Sequence, residues 1–325
     1  MTRLKTKQII SWGGTALMVF TLAFLAWQLY TLTVNAEIVW ADFARVTVLA
    51  GLVFVAFFEG LGILLAGFNF RALVKNISGV LVAKPLGLVV YTISNLYKYI
   101  PGGAMYVVGR NLLAVETDDL SHQDVALSTV VEGALVAIAA VVIVVVTVFD
   151  HALEHLRQAE AQFTTLFIVI VIIIVAIAGF AIIYFRQKIS EGLKRMYTQI
   201  RALSPLVLLM RFGFALLLMT LWGGTFLATL IALGQEITPG MAPTIIGLFL
   251  LAWLAGFLTP GAPSGAGVRE IVMHTFMGAM LGEGFLLPAM IIHRIVAAAG
   301  DVAAYGVAVG YSQVVKRRKK EPMQT

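Results

Sequence analysis

The sequence predicts an all-α polytopic membrane protein. It should have about six full transmembrane helices plus two re-entrant broken-helix hairpins, arranged as an inverted-topology repeat. Three observations carry this. Of 325 residues, 60% are hydrophobic and 12% charged, and the mean hydropathy is +0.94. A soluble domain is about 25% charged, and half that cannot cover a water-facing surface. Six apolar stretches reach the roughly 20 residues that a span needs. Two further apolar stretches are interrupted by clusters of proline and glycine. A soluble enzyme, a nucleic-acid binder and a disordered regulator are thereby excluded for the chain as a whole. With no cysteine, disulfides and thiolate chemistry are excluded too. The net charge of +6 fits basic cytoplasmic loops on anionic lipid and calls for no nucleic-acid partner.

The six spans are predicted at 9–32, 46–67, 125–148, 163–185, 205–233 and 285–311. The first follows Arg3, Lys5 and Lys7. It is too long for a signal-peptide core and lacks a small-x-small cleavage site, so it reads as a retained anchor. The stretch 85–115 is broken by Pro101-Gly102-Gly103. The stretch 243–280 is broken by the run from Pro260 and Gly261 through Pro263, Ser264 and Gly265 to Gly267. Proline removes a donor and glycine loosens the helix.

Charge decides between kinked spans and hairpins. With both broken stretches re-entrant, the inner loops and tails hold 16 Lys/Arg and the outer ones 2; with both crossing, the split is 12 to 6. The positive-inside rule selects the first, with both termini cytoplasmic and the chain multi-pass in the cell membrane. Each hairpin arm has about 13 residues, about 20 Å of helix, enough to reach mid-bilayer.

The order is then span, span, hairpin, span, given twice. The chain, 1–325, is one membrane domain with a pseudo-repeat of 9–148 and 163–311. The first hairpin enters from the cytoplasm and the second from the exterior, as in many transporters. Pro101-Gly102 and Pro260-Gly261 fall 92 and 97 residues after the starts of their halves. Each is followed by an arginine nine residues after the proline, Arg110 and Arg269.

Irregular backbone at membrane depth is tolerated only where it is buried in protein or lines a watery cavity. A short helix begins after each break, near Ala104 and near Gly267, and a helix N-terminus attracts anions. Lys98 precedes the first break by one turn. Arg110 and Arg269 follow the breaks and lean toward the inner and outer faces, and Glu270 adjoins the second. Arginine can chelate a phosphate through two N–H groups, so the breaks predict two anion-attracting nests near the midplane. A packing role for the breaks and simple snorkelling for the arginines are the structural alternatives.

Glu59, Glu132, Arg211, His293, Arg294 and Asp301 also fall inside spans, where buried charges usually find partners. Glu132 and His293/Arg294 lie 31 and 33/34 residues after their prolines, which predicts a Glu132–Arg294 pair across the pseudo-twofold axis, either static or re-formed as the halves rock. Glu59 and Glu132 are candidate proton carriers. Arg211 is expected to snorkel and Asp301 to partner a neighbouring polar group. His151-Ala152-Leu153-Glu154-His155 has the H-x-x-E-H zinc-protease spacing, but it falls in a predicted 14-residue outer loop without a third ligand or cleft, so no metal and no cofactor are expected. Gly306 and Gly310 allow close helix packing and leave a homo-oligomer open. Lys316–Lys320 form a polybasic tail suited to anionic lipid.

Tyr97-Lys98-Tyr99-Ile100-Pro101-Gly102-Gly103, followed by Gly109-Arg110, resembles the first signature of the lysylphosphatidylglycerol-synthase transmembrane-region family. Pro260-Gly261 with Gly265-Ala266-Gly267-Val268-Arg269-Glu270 resembles its second. The two in order cover essentially the whole chain. The resemblance implies a flippase-like membrane domain, in some members fused to an aminoacyl-phospholipid synthase or a glycosyltransferase. Tails of 8 and 14 residues leave no room for such a domain here, so lipid aminoacylation, or any enzyme activity, is not expected. The chain departs from the family pattern at Gly133, where an arginine often follows the glutamate, and in its longer, more proline-rich second motif.

The leading expectation is translocation of lipids with anionic or modified phosphate head groups by alternating access. No Walker A motif is present, so transport would be facilitated or ion-coupled. A non-transporting subunit that presents lipid to a separately encoded transferase, and a small-solute secondary carrier, are the alternatives.

Overall fold

A computed structural model describes residues 45–99, 105–117, 119–157, 197–201, 203–259, 265 and 267–318. The predicted spans 9–32 and 163–185 lie outside them, as do Pro101, Gly102, Gly103, Pro260, Gly261 and Ser264. The described chain forms α1 (Val46–Ser78), α2 (Lys84–Leu96) with a 3-10 turn (Tyr97–Tyr99), α3 (Met105–Arg110) and α4 (Leu112–Glu116). It continues as α5 (His122–Arg157), α6 (Pro205–Ala232), α7 (Met241–Leu258), α8 (Val268–Leu281) and α9 (Glu283–Arg318). No strand occurs among the described residues. Five helices, α1, α5, α6, α7 and α9, are long and apolar enough to cross a membrane.

Local chemistry places the helix ends. Pro85 and Pro205 sit in the first turns of α2 and α6, where a missing N–H costs nothing. Gly79 ends α1 with φ +76°, its N–H on the Lys75 carbonyl at 2.9 Å. Ser121 starts α5, its Oγ accepting the Asp124 N–H at 3.1 Å.

Side-chain pairings give the direction of each helix. Arg211 meets Asn69, Thr225 meets Glu59 and Ala232 meets Gly51, so α6 runs antiparallel to α1. Val296 packs with Val55, Gly300 against Gly60, and Ala304 in the cluster of Ile63, so α9 runs parallel to α1. At that crossing no side chain fits: a Cβ on Gly60 would lie 2.8 Å from the Gly300 carbonyl oxygen, and one on Gly300 2.6 Å from that of Ala56.

The residues that flank the first broken stretch pack together beside the end of α1. Val74 at the end of α1, Val82 before α2, Leu113 of α4, and Leu120 and Val125 at the start of α5 share one buried cluster. Ile200 packs at this same end, beside Leu73 and Leu127, and Gln199 donates to Asp124 at 2.9 Å. Arg157, the far end of α5, and Tyr197 therefore lie at opposite ends of the bundle.

The second broken stretch starts from the other end. Gly247 of α7 packs on Thr147 and Val148 of α5, while Phe257 reaches only Gly133. Thus α7 stops about a third of the way along α5, roughly 16 Å short of its first residue at 1.5 Å per residue. From there Arg269 of α8 lies back against Gly256 and over the Phe249 ring, about half a turn and two and a half turns up α7. At 18 residues, α7 is longer than the expected arm, because the apolar run extends to the far surface. In the described part of the predicted outer loop, α5 continues as helix through His151–His155 to Arg157.

Candidate functional site

Between the two broken stretches lies a cavity of about 520 Å³, within the range of small-ligand sites. Lys98, Arg110, Arg269, Glu270, Glu59, Glu132, His293 and Arg294 all line it, together with Gly265. These residues come from α1, the turn after α2, α3, α5, α8 and α9, so groups up to 235 positions apart in the chain share one space. Gly267, exposed at the start of α8, is not part of the wall. Tyr91, Tyr106, Trp222, Phe249 and Trp253 supply apolar and amphipathic surface.

Most of the charges are paired. Arg110 and Glu132, each 6% exposed, form a direct ion pair. The Tyr91 hydroxyl donates to the second Glu132 oxygen at 3.1 Å. The Arg110 guanidinium lies 4.6, 4.5 and 5.4 Å from the ring centres of Phe70, Tyr91 and Tyr106, an aromatic cage that favours a cation. On the other side Arg294 Nη2 meets Glu270 Oε1 at 2.9 Å. The pair expected from the repeat offsets, Glu132 with Arg294, is not formed. Each partner is taken by a group nearer in sequence, on the short helix after the break of its own half. Nor does Arg110 lean toward the inner face, because Glu132 and the three rings hold it inside.

The α8 N-terminus is already occupied. Glu270 Oε2 accepts the Gly267 N–H at 2.8 Å, the carboxylate half of a capping box. Gly265 and Gly267 have φ of +71° and +86°, which a side chain would strain. The anion-attracting end of α8 thus carries the chain's own carboxylate.

Lys98 pairs with Asp301 at 2.6 Å. Asp301, 1% exposed, also accepts from Asn95 at 2.9 Å and the Tyr99 hydroxyl at 2.7 Å. This network ties the turn after α2 to α9. Arg211, half-buried, donates to Asn69 at 2.8 Å.

Two charged groups of the wall remain. Arg269 stacks over Phe249, 5.1 Å from the ring centre, and among the described residues no carboxylate comes within 4.0 Å of it. Glu59 takes a hydroxyl contact from Thr225 at 2.5 Å and faces His293 Nε2 at 3.8 Å. Thr225 and Thr229 of α6 were not singled out in the sequence, although two threonines four apart in an apolar helix share one face. Tyr91 and Asn95, also four apart, have the same signature.

A scan of protein-family models and a search of curated proteins find no match to this chain. Among the described residues no group of three or more His, Asp or Glu side chains could hold a metal.

Proposed function

We propose that this chain is a flippase-like protein of the cell membrane that binds lipids with anionic or modified phosphate head groups in the central cavity. It moves them between leaflets as two inverted halves rock. The observation that carries the reading is the charge balance of the cavity. Lys98, Arg110 and Arg294 each have a carboxylate partner, and among the described residues Arg269 has none within 4.0 Å. A guanidinium facing an amphipathic cavity is suited to a phosphate, which it can chelate.

The inverted arrangement is supported by the hairpin ends. One broken stretch returns to the end where α1 finishes, and the other stops at mid-depth from the opposite end. The ion pairs add a second support. In each half the helix after the break pairs with the next long helix, as Arg110–Glu132 and as Glu270–Arg294, with the signs exchanged. With the basic end of α9 at the end where α1 finishes, the positive-inside rule makes that end cytoplasmic. The motif resemblance to the lysylphosphatidylglycerol-synthase transmembrane-region family points to the same class of activity.

The test is reconstitution into vesicles with head-group-labelled phosphatidylglycerol or phosphatidylcholine, reading loss of outer-leaflet label. The expected result is protein-dependent movement, faster for the anionic lipid. Rates equal to protein-free vesicles refute the proposal. Uptake of water-soluble glycerol phosphate without lipid movement replaces it with a small-solute carrier.

A further inference from the structure

We infer that Glu59 and His293 form a proton-binding site on the wall of this cavity, and that the proton sets the charge seen by the anion beside Arg269. The site deepens the reading above and rests on it for the anion, but not for the proton.

Hydrogen counting leads to it. Thr229 Oγ1 lies 2.8 Å from the Thr225 carbonyl, which can only accept, so its one proton goes there. The same oxygen is 2.9 Å from His293 Nδ1 and must accept from it. Nδ1 therefore carries the ring proton, and Nε2 is the open nitrogen of the neutral imidazole. Nε2 faces Glu59 Oε1.

The Thr225 hydroxyl has one proton and two neighbours, the Trp222 carbonyl at 2.7 Å and Glu59 Oε1 at 2.5 Å. When Thr225 donates to Trp222, the Glu59 oxygen must carry a proton of its own to complete the contact. When Thr225 donates to Glu59, the carboxylate is ionised. The cluster thus accommodates one added proton on Glu59 Oε with every hydrogen bond satisfied, whereas on His293 Nε2 the proton would face Glu59 as an ion pair at 3.8 Å. Moving it transfers H⁺ and breaks no other covalent bond; the Thr225 hydroxyl turns between Trp222 and Glu59.

The other charged groups around the pair are already matched. Lys98, from the turn after α2, is held by Asp301 of α9; Glu132 of α5 by Arg110 of α3; and Glu270 of α8 by Arg294 of α9. Among the described residues of the wall this leaves Arg269 and Glu59. With Glu59 ionised and His293 neutral the two cancel. One proton on the pair leaves a net positive charge facing the cavity. Proton uptake therefore accompanies binding of an anion, by charge balance. Glu132 is instead engaged by Arg110 and the Tyr91 hydroxyl, apart from this pair. The site also sits at the Gly60–Gly300 crossing of α1 and α9, where two helices of opposite halves meet.

The test separates the proton from the lipid. Infrared difference spectra of the reconstituted protein are recorded between about pH 5 and pH 9, the range in which perturbed carboxyl and imidazole groups titrate. A protonated-carboxyl C=O band that titrates is expected in the wild type, lost in Glu59→Gln, with its midpoint moved by about one pH unit in His293→Asn. A band unchanged in both variants overturns the site. Should Glu59→Gln fail to fold, the His293→Asn midpoint decides alone, and no movement of it counts against the pair. Labelled phosphatidylglycerol movement under an imposed pH gradient is then compared. Acceleration in the wild type, absent in His293→Asn, supports coupling. A titrating Glu59 band without gradient dependence retains the proton site and overturns its coupling to the anion.

Discussion

Arg110 and Arg269 occupy the same offset from their prolines, yet their surroundings predict opposite consequences of mutation. Arg110→Gln removes the cation from a buried ion pair and from an aromatic cage. Glu132 keeps the Tyr91 hydroxyl at 3.1 Å but loses its counter-charge. Breaking a buried pair by removing one partner costs about 3–5 kcal/mol, and the lost ring contacts add about 1 kcal/mol. Arg269→Gln strands no carboxylate within 4.0 Å among the described residues and loses only the Phe249 stacking, about 1 kcal/mol. Its effect falls on the ligand. One charged hydrogen bond to phosphate is worth about 1.5–3 kcal/mol, or roughly 10- to 150-fold in affinity. The assay pairs melting of the detergent-solubilised protein with lipid movement in vesicles. Arg110→Gln should melt several degrees lower, whereas Arg269→Gln should melt near the wild type and move anionic lipid at least tenfold less well at limiting lipid. Arg269→Lys should not fully restore it, since an ammonium cannot chelate bidentately. Wild-type melting of Arg110→Gln together with wild-type transport by Arg269→Gln would refute the reasoning.

Two further outcomes follow from the packing. Gly300→Ala places a methyl 2.6 Å from the Ala56 carbonyl oxygen, so α1 and α9 must separate; about 1–3 kcal/mol of stability should be lost, read as a lower melting temperature. Single cysteines are clean probes in a chain that has none. Ser121→Cys and Tyr197→Cys should be protected from an impermeant thiol reagent in intact cells, and Glu236→Cys should be labelled; the reverse pattern would overturn the assigned orientation.

Composition and the lengths of the apolar stretches determined a helical chain whose long helices are apolar enough to cross a membrane, because 12% charged residues cover only a limited water-facing area. The breaks were legible for the same local reason: proline and glycine act on the backbone of their own turn. Helices accordingly resume at Met105 and Val268. The convergence of the charged groups was legible as well, since charged residues in apolar runs must find polar partners or a cavity. Partner choice was not. Sequence offsets pair Glu132 with Arg294, but which cation reaches a buried carboxylate depends on helix rotation and depth, and those are settled by contacts such as Gly60 on Gly300 and Gly247 on Thr147. The same holds for Glu270. The start of α8 suggested an anion site left open, whereas the folded Glu270 side chain turns back onto the Gly267 N–H and occupies it. Only the tertiary structure, by spending three carboxylates on three other cations, left Arg269 facing the cavity and Glu59 facing His293.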